Sequence, residues 1–76
     1  MTNEASVLDA VKAIIDRRRA ANLFPECALR REIDIELSRI GSTMDHHAVT
    51  RHLMNLVKTG ALEYRPTQND QSYYLK

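Results

Sequence analysis

His47, Arg51, Asn55 and Lys58 recur at i, i+4, i+8 and i+11. At 100° per residue this spacing places all four on one side of a helix, opposite Val49, Leu53, Leu56 and Val57 and with Ala48 and Met54 beside them. Each of the four can donate a hydrogen bond and none is acidic; no Asp or Glu occurs between His46 and Leu62. Such a face suits an acceptor-rich partner. The major groove of duplex DNA is one, because Arg forks onto guanine, Asn onto adenine, and His or Lys meets guanine edges or phosphate. The plainer use of a charged stripe is a solvated helix face.

Other chemistries find less support in the residues. His46, His47 and His52 invite a metal, yet neighbours on a helix face lie three or four apart, and these are separated by one, five and six. No His pair shares a face and no Cys or carboxylate completes a ligand set, so no metal and no cofactor is expected. His46 falls nearer the buried side and reads as a packed or capping residue, with His52 on a flank. There is no GxSxG, no Gly-rich phosphate loop and no Cys/His arrangement on a recognisable scaffold, so the chain is not expected to be an enzyme. Cys27 is alone, which excludes an internal disulfide and a CxxC motif, and reads as a small apolar filler.

The elements that must position the donor face follow from periodicity. Val7, Leu8, Val11, Ile14 and Ile15 form a one-sided stripe, so a first helix is expected over about 4–21, with Asn3 or Ser6 as N-cap. Arg17, Arg18 and Arg19 close it, suiting the negative end of its dipole and fanning too widely to touch one partner together. Pro25 disfavours helix at Phe24, and Leu23 and Phe24 are expected to cap the core. Leu29, Ile33, Leu37 and Ile40 predict a second helix over about 27–39 that stops at Gly41; Ile35, off that stripe, reads as a flank of the core or a dimer contact. Gly41, Ser42, Thr43 and Met44 make a turn, Met44 pointing inward, and Asp45 stands where an N-cap is wanted. The third helix then spans about 46–59 and ends at Gly60. Beyond it the period changes to 2. Leu62 and Tyr64, then Tyr73 and Leu75, alternate with other residues around a polar stretch at 66–71, which predicts a β-hairpin with a solvated tip over about 61–76.

The 76 residues carry no internal repeat or linker and read as a single domain, 1–76. A domain of this size buries only about 60% of its unfolded surface, which leaves little room for an enclosed catalytic pocket. Without an apolar run long enough for a signal peptide or a membrane span, a soluble cytoplasmic domain is expected. The net charge of +1 does not announce a nucleic-acid binder, but its distribution matters more. Arg51, Lys58, Arg65 and Lys76 outnumber Glu63 and Asp70 in residues 46–76.

The order helix, helix, tight turn, helix, hairpin resembles the winged-helix variant of the helix-turn-helix family. The resemblance covers about residues 27–76 and is carried by Met44, then Val49, Thr50, Arg51, Leu53 and Leu56, then Gly60 followed by Leu62, which match the family's turn residue, its V-[ST]-R-x-L-x-x-L helix and the glycine leading into the wing. It implies an α+β winged helix: a three-helix core followed by a C-terminal two-stranded wing. It also implies base contact by His47, Thr50, Arg51 and Asn55, and wing contact by Arg65, Gln68 and Asn69. Lys58, with Arg17 and Arg19 at the end of the first helix, would hold phosphates. Two departures point to modest phosphate affinity: His46 and His47 stand where Ser, Arg or Lys is common, and the wing tip carries Asp70 without Lys or Arg. The expectation is sequence-specific binding of double-stranded DNA in transcriptional control, with a homodimer as the route to useful affinity. The main rival is a winged helix that binds protein, to which Ile35, Met54 and Tyr74 would lend exposed apolar surface. RNA is less favoured, since no aromatic platform is evident.

Overall fold

The computed structural model describes residues 4–41 and 45–76. In chain order these form α1 (Glu4–Ala20), β1 (Ala28–Leu29), α2 (Arg30–Arg39), α3 (His46–Lys58), β2 (Leu62–Pro66) and β3 (Gln71–Leu75). The strands make one antiparallel sheet in the order β1-β3-β2. Three helices followed by a hairpin, with a short strand before α2, is the winged-helix topology.

The core lies where the helices meet the sheet. Val7, Ala10, Val11, Ile14 and Ile15 from α1 pack with Ile33 and Leu37 from α2 and with Val49, Leu53 and Leu56 from α3; Ala28, Leu62 and Tyr73 close the cluster from the strands. Leu8, Val57, Ala61 and Leu75 pack against it from the edge. Burying each large aliphatic side chain contributes about 1.5–3 kcal/mol, so this contiguous cluster fixes the angle at which α3 is presented.

The helix ends explain why each element stops. Asn22 adopts φ +55, and the amides of Asn22 and Leu23 donate to the Arg19 and Arg18 carbonyls at 3.1 and 2.8 Å. This pair of bonds is a Schellman closure, with Asn taking the left-handed position that glycine usually fills. The same closure ends α3, where Gly60 at φ +87 bonds to Val57 and the Ala61 amide reaches the Leu56 carbonyl at 2.9 Å. Asp45 caps the start of α3 by accepting from the Ala48 amide at 2.8 Å.

Four expectations are corrected. The second helix begins at Arg30, not Cys27, because Ala28 and Leu29 pair with Tyr73 and Ser72 as a third strand. Glu32 then accepts from the Leu29 amide at 3.0 Å and turns the chain into α2. Leu23 and Phe24 do not cap the core: Phe24 is 75% exposed, because the Schellman turn carries the chain outward before Pro25. Ile40 is 58% exposed, since α2 has already ended at Arg39. Tyr74 is only partly exposed, lying beneath the Arg65 guanidinium at 4.9 Å from the ring centroid. Ser6 lies inside α1, while Asn3 and the turn residues Ser42, Thr43 and Met44 fall outside the described residues.

Candidate nucleic-acid interface

The outward face of α3 is built by the same amphipathic logic that buries its inward face. With Val49, Leu53 and Leu56 in the core, His47, Arg51, Asn55 and Lys58 are all exposed. They line one shallow open groove of about 520 Å³ together with Thr50, Met54 and Val57. A second recess, about 290 Å³, joins Thr50, Met54 and Val57 to Tyr64, Gln71 and Tyr73 of the wing, so the helix face runs on into the hairpin.

The donors on this face differ in how far they are already engaged. Among the described residues, Arg51 and Lys58 have no hydrogen-bond or ion-pair partner. Among the described residues, the His47 ring meets that of His46 edge-on at 6.1 Å. Asn55 donates through Nδ2 to Glu4 Oε1 at 3.3 Å. The Thr50 hydroxyl is occupied on both sides: it donates to the His46 carbonyl at 3.0 Å and accepts from Arg30 Nη2 at 3.2 Å. Thr50 therefore offers its methyl group more readily than its hydroxyl. Asp45, at the head of the helix, is held below the usual carboxylate range by the Ala48 amide first, with the His47 amide and the nearby Arg51 guanidinium adding to it.

The arginines at the end of α1 also bond within the fold. Arg17 pairs with Glu36, Arg18 with Glu32 at 2.6 Å, and Arg19 with Glu26 at 2.8 Å, which ties α1 to α2 and to the connector, while the Arg17 and Arg19 side chains remain 53% and 54% exposed. In the wing, Arg65 pairs with Glu63 and covers Tyr74. Gln68 and Asn69 are exposed at the tip, which is closed by Thr67 and Asp70: the Thr67 amide donates to the Asp70 carbonyl at 2.7 Å, and the Asp70 amide to the Thr67 hydroxyl at 2.9 Å.

Three residues outside the sequence-predicted set shape the site. Arg30 is 8% exposed and bridges α2 to the first turn of α3, donating to Asp34 at 2.5 Å, to the His46 carbonyl at 3.1 Å and to Thr50, with His46 Nδ1 also 3.1 Å away. Its position on the Ile33 and Leu37 stripe was the available signal. Arg31 stands 3.5 Å from Asp70 and supplies the wing tip with the cation that the tip's own sequence lacks. Glu4 brings a carboxylate to the edge of a face that is acid-free in its own segment. Nothing local in the sequence signals these last two, which act across the fold.

Among the described residues, no group of three or more His, Cys, Asp or Glu side chains could hold a metal ion, and no helix is long and apolar enough to cross a membrane. Compared with protein-family models, curated proteins and solved structures, the chain has no match. The winged-helix topology and the α3 face therefore carry the functional reading.

Proposed function

We propose that this chain binds duplex DNA sequence-specifically, as a small cytoplasmic transcriptional regulator that inserts α3 into the major groove. The observation that carries the reading is the distribution of unspent charge. Among the described residues, Arg17, Arg18, Arg19, Arg30, Arg31 and Arg65 are each paired with an acid, whereas Lys12, Arg39, Arg51, Lys58 and Lys76 are not, and of these five only Arg51 and Lys58 share a helix. A cation with no internal partner is available to an external anion and releases counterions when it meets one. In this reading Arg51 and Asn55 read base edges, His47 and Thr50 assist, and Lys58 holds phosphate; Arg65, Gln68 and Asn69 follow the backbone from the wing. A single module of this kind covers roughly 600–1,000 Å², so a homodimer on a two-fold site belongs to the proposal.

A second reading, a protein-binding winged helix, is favoured by one observation. Leu23, Phe24 and Ile35 are exposed around an open groove of about 610 Å³ between the end of α1 and α2, and this groove shares no residue with the α3 face. Exposed apolar side chains gathered at one groove, here interleaved with Arg17, Arg18, Glu32, Glu36 and Arg39, support a docking reading.

Selection of the folded protein against a random duplex library at low salt separates the two. DNA reading predicts an enriched motif whose base preference relaxes in Arg51→Ala. Lys58→Ala should weaken all sequences alike and reduce the magnitude of the salt slope by about 0.9. Equal selection by wild type and Arg51→Ala removes the mechanism. A flat pool, with a partner lost in Phe24→Glu, transfers the function to the groove.

A further inference from the structure

We infer that Glu4, in the first turn of α1, is a positioning residue that orients Asn55 for adenine; the inference rests on the DNA-binding reading above. Glu4 Oε1 lies 3.3 Å from Asn55 Nδ2 and 3.2 Å from His52 Nδ1, across 51 and 48 positions of sequence. The packing of α1 on α3 through the common core brings them together.

A carboxylate beside a face that meets a polyanion opposes binding through like-charge repulsion. Its contact with Asn55 supplies a compensating role. The terminal amide torsion of Asn is broad and roughly two-fold, so without a partner the side chain presents oxygen or nitrogen almost indifferently. A carboxylate only accepts, so it selects the Nδ2 end and fixes the direction of the amide. One Nδ2 hydrogen is spent on Glu4. The other, beside Oδ1, completes the donor and acceptor fork that matches adenine N7 and N6. His52 meets the same oxygen through Nδ1, and a carboxylate there favours the tautomer protonated at Nδ1. The Glu4 side chain is 39% exposed, so it reaches the amide without being sealed into the core.

The test uses the full chain and random-duplex selection, followed by titration of the selected duplex and its single-base variants. Glu4→Ala and Glu4→Met remove the acceptor, while Glu4→Gln keeps an acceptor and removes the charge; circular dichroism verifies folding of each. Loss of the acceptor should lower the preference for adenine at one position by roughly five- to tenfold, leaving the position read by Arg51 unchanged. Glu4→Gln should keep the adenine preference, and all three variants should bind non-specific duplex more tightly. In an Asn55→Ala background, Glu4→Ala should leave base preference unchanged. A full adenine preference in Glu4→Ala and Glu4→Met overturns the inference, as does an equal loss in Glu4→Gln. Both results leave DNA binding standing, whereas a flat pool from folded wild type overturns the DNA reading and the inference together.

Discussion

Arg30→Ala should destabilise the domain and loosen the seat of α3, and its magnitude follows from the contacts. The side chain links Asp34, the His46 carbonyl and Thr50, and the residue is 8% exposed. Asp34 is 42% exposed, so it rehydrates when the guanidinium is removed, and the full penalty of an orphaned buried charge does not apply. The His46 carbonyl keeps its bond from the Thr50 hydroxyl. What is lost is the charge-assisted bonding to α3, at about 1.5–3 kcal/mol, together with part of the packing of the aliphatic stem. The expected total is about 2–3 kcal/mol, against a whole-domain stability of about 4–11 kcal/mol for a chain of this length. Thermal unfolding followed by circular dichroism should show Tm lowered by roughly 10–20 °C. Arg30→Met restores the stem without the bonds and should fall between the two, with the register of α3 loosened and DNA selection blurred. An Arg30→Ala variant that melts within about 3 °C of wild type would refute the claim that this side chain ties α2 to α3.

Two further outcomes test the ends of α3. Gly60→Ala adds a Cβ that meets nothing within 4 Å but must sit at φ +87, so the cost is purely conformational; urea unfolding should show a loss of about 1 kcal/mol or more, smaller in Gly60→Asn, and equal midpoints for Ala and Gly would contradict the Schellman closure. The Asp45 carboxyl is held below its ordinary range, so its cap contribution is present above the unfolded value near pH 4 and is lost as pH falls through the lower folded value. Asp45→Asn keeps a cap acceptor without titrating. Wild type should therefore lose stability relative to it on the acid side of pH 4, and parallel melting curves down to pH 3 would rule out the cap.

Much of the fold was legible because amphipathic periodicity records which face is buried. The stripe of α3, the cap at Asp45, the stop at Gly60 and the change of period at Leu62 all emerge where the sequence places them. So does the exposed face of His47, Arg51, Asn55 and Lys58, since it is the complement of the buried one. The second helix was less legible. Two residues, Ala28 and Leu29, are too few to show a strand period, and their extended conformation depends on hydrogen bonds to Tyr73 and Ser72 far along the chain.

The sequence by itself determined which side of α3 faces out and which residue types stand there, because that information is local and repeats every turn. Only the tertiary structure decided which of those groups are already engaged. Thr50 is taken by Arg30, and Asn55 is met by Glu4 from the far end of the chain. The physical reason is that a hydrogen bond or ion pair depends on distances of a few ångströms between segments, and the packing of the common core sets those distances.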